Sequence, residues 1–133
     1  MRALWLVLLV LGFAGCANPP LANPAHTSQY GLEWAGVYQG TLPSASGMGL
    51  RVHLELRPDG HYTLENLYVG NAPITYTSHG YFSWDATGFI ITLEEEQNVR
   101  FFVEEHAVIL LDQEGNFITG PLKDAYKLPK KLP

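Results

Sequence analysis

The chain of 133 residues has a single cysteine, which excludes an internal disulfide and any zinc site built on paired cysteines. Charged residues are only 16% of the sequence against 47% apolar residues, a balance that excludes an intrinsically disordered chain. Positive charge is scarce. The net charge of −5 argues against a nucleic-acid binder. Helical spacing is missing from Glu33 onward, so a helix bundle is not expected. No Gly-x-Ser-x-Gly elbow supports a nucleophilic serine, and no His-x-x-x-His pair supports a metal-ligand set. The apolar run Leu4–Phe13 is too short to span ~30 Å of hydrocarbon comfortably as a permanent helix.

That run has a purpose of another kind. Arg2 gives it a positive start and Ala14-Gly15 a small-residue exit, the layout of an export leader. The exit Phe13-Ala14-Gly15-Cys16 resembles the cleavage box of bacterial lipoproteins. That resemblance implies a leader over residues 1–15 and acylation of Cys16, with ~0.8 kcal/mol of anchoring per buried methylene. The alternative is an ordinary leader with a chance cysteine. The lipoprotein resemblance further implies that an Asp at position 17 would favour retention at the inner membrane, so Ala17 points to the outer membrane, facing the periplasm. Losing Arg2 with the leader takes the net charge to −6. Residues 16–32 carry prolines at 19, 20 and 24 among small polar residues and read as a flexible tether, with His26 solvated.

Residues 33–130 read as one domain of short strands. Trp34, Gly36, Tyr38, Gly40 and Leu42 share one face of a first strand; Leu50, Val52, Leu54 and Leu56 share one face of a second. Inward glycines at 36, 40 and 80 suit sharp coiling or close packing against Trp34 and Trp84. Arg57-Pro58-Asp59-Gly60 is a turn, and a three-residue loop sets Leu56 opposite Tyr62, Leu54 opposite Leu64 and His53 opposite Glu65. After a loop Gly70–Thr77, a four-residue turn Asp85–Gly88 sets Trp84 opposite Phe89 and Phe82 opposite Ile91. Glu94–Asn98 is a further turn, followed by the pair Val99–Val103 and Ala107–Leu111. Phe117–Thr119 and Asp124–Leu128 give a last short pair or an interrupted strand, and the basic tail from Lys127 to Pro133 reads as a frayed end, with contact to acidic head groups the alternative. The fold expected is all-β, a small antiparallel sandwich or barrel of six to eight strands.

Trp34-Ala35-Gly36-Val37-Tyr38-Gln39-Gly40-Thr41-Leu42-Pro43 resembles the opening of the NlpE-like amino-terminal domain of bacterial lipoproteins. Leu54–Tyr62, Gly80–Trp84, Leu110–Gly115 and Tyr126-Lys127-Leu128 resemble its later segments in order. The resemblance implies a barrel similar to a reduced lipocalin, an outer-membrane anchor, and non-enzymatic roles in copper tolerance, envelope-stress signalling or surface sensing. The family's Cys-x-x-Cys is absent: Ser44 and Gly47 stand at its cysteine positions. A hydroxyl and a hydrogen cannot replace two thiolates as ligands for Cu(I), so copper binding at this loop does not carry over.

Other candidates have plain structural readings. His53 and His61 face outward on neighbouring strands with Glu65 near His53, a solvated face or a metal site. Glu94-Glu95-Glu96 reads as a solvated turn, because the alternating oxygens of a calcium loop are missing. Asp112-x-Glu114-Gly115-Asn116 reads as a hairpin turn, and nothing places a base beside Ser44 or Ser46. Trp34, Tyr38, Tyr62, Tyr68, Phe82, Trp84, Phe89 and Phe101 fill the interior or line a cavity for a small apolar ligand. The expectation is therefore a non-enzymatic outer-membrane lipoprotein with no metal or cofactor, binding or sensing through an envelope protein. A lipocalin-like carrier of a small apolar ligand is the alternative, and copper handling through His and Met residues is the third.

Overall fold

The computed structural model describes residues 26–44, 48–96 and 99–132. Cys16, Gly47 and most of the proposed tether lie outside them. Alternation of apolar and polar residues produces eight antiparallel strands: β1 (Gly36–Leu42), β2 (Leu50–Leu56), β3 (His61–Tyr68), β4 (Ile74–Trp84), β5 (Ile90–Leu93), β6 (Arg100–Glu104), β7 (Ala107–Leu110) and β8 (Lys127–Pro129). They pair in sequence order, each with the next. Closure comes from the two ends of the chain. Tyr38 in β1 bridges Lys130, and the Lys131 amide donates to the Val37 carbonyl at 2.7 Å. Gly40 makes this approach possible, because a Cβ there would sit 3.1 Å from Leu128 Cδ2. The result is a nearly closed up-and-down barrel, as the strand pattern predicts. The expected partnership of Phe117–Thr119 with Asp124–Leu128 does not form. β8 instead pairs with β7, and Phe117 bridges Leu111. The basic tail is accordingly the closing element up to Lys131, not a frayed end.

The β2–β3 hairpin has the expected register throughout, with Leu56 opposite Tyr62, Leu54 opposite Leu64 and His53 opposite Glu65. Gly60 closes its loop at φ +91°, a conformation open to glycine at little cost. The β4–β5 hairpin is shifted by two residues. Trp84 faces Ile91 and Phe82 faces Leu93. The Asp85 carboxylate explains the shift. Its Oδ1 accepts from the amides of Thr87, Gly88 and Ile90, and the Asp85 amide donates to the Ile90 carbonyl. Asp85 and Ile90 therefore extend the ladder, and Phe89 is left in the turn. A slip of two keeps the side chains that remain in the ladder on their faces. Ile91 and Leu93 stay in the core, and Phe89 stacks outside on Phe102 at 5.9 Å.

Strand β4 starts at Ile74, inside the stretch read from sequence as loop. Its residues Ile74–Tyr81 pair with β3 and Phe82–Trp84 with β5, so this one strand joins both halves of the barrel. Its first eight residues run past the end of β5 at Leu93 by roughly 26 Å, at ~3.3 Å per residue. The core is a single cluster of Tyr38, Leu54, Leu56, Tyr62, Ile91, Leu93, Phe101, Val103, Val108 and Leu128 with their neighbours. Trp34 caps it edge-on against Phe82 and Trp84 at 5.4 and 5.6 Å. Close packing at the inward glycines involves other partners than these tryptophans: Lys130 at Gly36, Leu128 at Gly40 and Glu95 at Gly80.

The packed body begins before residue 33, where the tether was expected to end. Ser28–Gly31 form one helical turn, α1, and Thr27 and Ser28 are buried. Ser28 Oγ donates to the Val103 carbonyl and the Gln29 amide to the Gly88 carbonyl. Trp34 Nε1 then donates to the Gln29 carbonyl at 3.0 Å. These bonds fix the chain entry at the end of the barrel that carries the β4–β5 and β6–β7 turns. His26, just before it, is exposed, as expected.

Candidate functional site

The histidines do not converge. His53 faces Glu65 across the β2–β3 ladder, but His61 lies opposite Arg57, ~13 Å further along β2 at ~3.3 Å per residue. His61 is engaged elsewhere, with its ring 4.2 Å from that of Tyr81 and Nδ1 3.0 Å from Asp59 Oδ1. Backbone and side-chain hydrogen bonds from His61 hold the Asp59 carboxyl below its usual range. His79 is exposed opposite Thr63, and His106 is exposed in the β6–β7 turn. Among the described residues no three His, Cys, Asp or Glu side chains come together as a metal-binding group. Asp112 closes a turn, its Oδ1 accepting from the amides of Glu114 and Asn116. Ser44 Oγ accepts from the Gly49 amide at 3.2 Å, which ties the start of the β1–β2 loop to its end.

The outer face of β1–β4 carries an open cleft of about 500 Å³ whose lining includes Gln39, Thr41, Arg51, His53, Glu65 and Leu67. Cross-strand geometry brings these residues together: Gln39, His53 and Glu65 form one row, and Thr41, Arg51 and Leu67 the next. Polar side chains of both signs over one leucine make a water-filled surface rather than an apolar pocket.

The aromatic residues divide in two. Tyr38, Tyr62, Phe82 and Phe101 are buried and fill the interior. The Tyr38 hydroxyl donates to the Trp34 carbonyl at 2.7 Å, and burial pushes its pKa up to about 12. Burial also raises the Tyr62 hydroxyl, with Glu96 adding to the effect. Among the described residues that hydroxyl is buried without a hydrogen bond of good geometry, with the Ser78 side chain and the Glu95 backbone its nearest polar groups.

Tyr68 behaves differently. Ladder parity points it, with Asn66, Ile74, Tyr76 and Ser78, to the inward face of the β3–β4 hairpin. This is the part of the hairpin that overhangs β5. The tyrosines meet edge to face at 5.7 Å. Beneath them Asn66, Thr77, Ser78 and Glu96 complete a second cavity of about 340 Å³. Tyr76 and Ile74 went unnoticed in the sequence because their segment reads as loop; alternation Ile74-x-Tyr76-x-Ser78 was the available signal.

The fold defines a class: a small antiparallel barrel whose described interior is packed with side chains. The NlpE N-terminal domain family matches residues 38–121, and the chain belongs to that family. It is similar to the crystal structure of a putative lipoprotein from Shewanella oneidensis, at 40% identity over 80% of this chain and 96% of that one, with a TM-score of 0.75. It is also similar to the Cpx pathway activator NlpE from Escherichia coli, at 26% identity over 64% of this chain, with a TM-score of 0.53. The similarity spans 46% of that longer protein. No curated protein matches the chain.

Proposed function

We propose that this chain is a non-enzymatic lipoprotein of the outer membrane, anchored through Cys16 and facing the periplasm, which acts by binding a protein partner in envelope-stress sensing. The observation that carries the reading is an NlpE N-terminal domain set behind a cleavage box at the sole cysteine. Family membership supports an envelope lipoprotein, and the likeness to a Cpx pathway activator supports a signalling role. Ala17 supports the outer membrane. Copper tolerance is not part of the proposal, because Ser44 and Gly47 replace the thiol pair. The filled interior favours binding at the outer surface over carriage of an apolar ligand inside.

Globomycin, which blocks lipoprotein signal peptidase, tests the anchor. Treated cells should accumulate the precursor, and Cys16→Ala should release the protein from outer-membrane fractions on a density gradient. Normal maturation under globomycin, or outer-membrane retention of the Cys16→Ala protein, refutes the anchor.

A further inference from the structure

We propose that the overhanging inward face of the β3–β4 hairpin is a docking site for a basic, apolar segment of a protein partner. The inference rests on the reading above that the barrel works through such a partner, and it assigns the surface and the chemistry. Met48, Tyr68, Ile74 and Tyr76 are 55, 45, 49 and 58% exposed at this end of the barrel. Three of them point inward by ladder parity, yet β5 stops too early to cover them. A sheet face left apolar and uncovered marks an interaction surface.

Charge selects the occupant. Glu96 lines the cavity under the tyrosines, and no basic residue among the described residues shares that lining. Glu95 lies against Gly80 on the same turn. Among the described residues neither Glu95 nor Glu96 forms an ion pair. A lysine or arginine from a partner meets here a carboxylate and two tyrosine rings, the setting of a cation–π contact. Asn66 and Ser78 supply acceptors, and the buried Tyr62 hydroxyl lies close enough to Glu96 and Glu95 to feel their charge. Flanking apolar side chains of the partner would cover Met48 and Ile74.

The surface is too open for a small molecule, since such sites bury ~70–90% of the ligand. The anchoring bilayer does not fit either. The chain enters the barrel at the opposite end, through Thr27 and Ser28. From Cys16 to His26 the backbone reaches at most ~36 Å. Strand β4, with 11 residues, already spans ~36 Å. Allowing for a strand tilt of ~40°, laying the mouth on the membrane would use ~28 Å of that reach and set Glu94–Glu96 against acidic head groups. The mouth lies at the end of the barrel opposite Thr27 and Ser28, where the chain enters.

The test uses the mature chain, residues 16–133, ¹⁵N-labelled and with Cys16→Ser, titrated with a blocked peptide of lysine, leucine and serine. Amide shifts should concentrate at Asn66–Tyr68, Tyr76–Ser78 and Glu96. Glu95→Gln with Glu96→Gln should weaken binding about tenfold, the size expected for removing two exposed rim charges. Tyr68→Ser with Tyr76→Ser should abolish it, with an unchanged circular dichroism spectrum showing that the fold survives. Four results overturn the proposal: no shifts at millimolar peptide, shifts centred elsewhere, equal binding of a peptide with glutamate in place of lysine, or binding of 1,5-diaminopentane as tight as the peptide. Binding of the same protein to acidic phospholipid vesicles through these residues also overturns it. The outcome is separable from the anchor. A chain insensitive to globomycin that still binds the lysine peptide keeps this surface and loses the lipoprotein reading. A matured, anchored chain that ignores the peptide does the reverse.

Discussion

Tyr38 links the core, the chain entry and the closure of the barrel, so its hydroxyl offers a sharp test of the packing. It is fully buried, donates to the Trp34 carbonyl at 2.7 Å, and its backbone bridges Lys130. Tyr38→Phe keeps the ring and removes one hydrogen bond, leaving the Trp34 carbonyl short of a donor. The expected cost at neutral pH is about 1 kcal/mol, or roughly 4 °C in Tm for a domain of this size. The pH dependence is more diagnostic. Burial sets the folded pKa at about 12 against 10.0 for the free side chain. Below pH 10 both states hold the proton and no dependence arises from this group. Between pH 10 and 12 the unfolded chain loses the proton and the folded chain keeps it, so stability falls as pH rises. The whole shift corresponds to ~2.7 kcal/mol, and partial screening by solvent brings the expected loss to about 1–2 kcal/mol. Tyr62, raised by burial with the same sign, adds to the loss. Urea unfolding at pH 8, 10, 11 and 12, followed by fluorescence of the Trp34–Trp84 pair, measures both effects. Tyr38→Phe should be less stable than the parent at pH 8 and should lose less stability on going to pH 12. An alkaline slope as steep as the parent's would refute the assignment of that burial to Tyr38.

Two more outcomes follow from the same geometry. Gly88→Ala places a methyl 2.8 Å from Thr27 Cβ at a residue with φ +79°, so it should cost about 1–2 kcal/mol and loosen α1. Faster hydrogen exchange at the Gln29 amide, which donates to Gly88, reports the loosening directly. Installing Ser44→Cys with Gly47→Cys restores the family's thiol pair and should create Cu(I) binding in a chelator competition; the parent should bind no Cu(I) through this loop.

Strand existence and side-chain parity were legible because a half-buried strand must alternate, and local turn chemistry then set the register of β2–β3. Pro58, Asp59 and Gly60 leave only one short loop that keeps Leu54 and Leu56 over Leu64 and Tyr62. The β4–β5 register was not legible. Both registers, two residues apart, bury Ile91 and Leu93, and the choice depends on whether Asp85 stays in the ladder while its carboxylate collects three amides. The start of β4 was also hidden, since Ile74–Thr77 is exposed and pairs only because β3 extends beside it.

Alternation, turn residues and the Cys16 box belong to short stretches of chain, and these alone determined the all-β class, the family and the expected anchor. Closure of β8 on β1, the docking of Thr27 and Ser28 beneath Gly88, and the uncovered tyrosines of the β3–β4 hairpin were decided only in three dimensions. Each depends on where one strand ends relative to another, a length difference between distant segments that local spacing does not encode. Tyr38 and Tyr76 occupy equivalent inward positions along their strands; one lies in the core and the other in solvent because neighbouring strands cover the first and β5 stops short of the second.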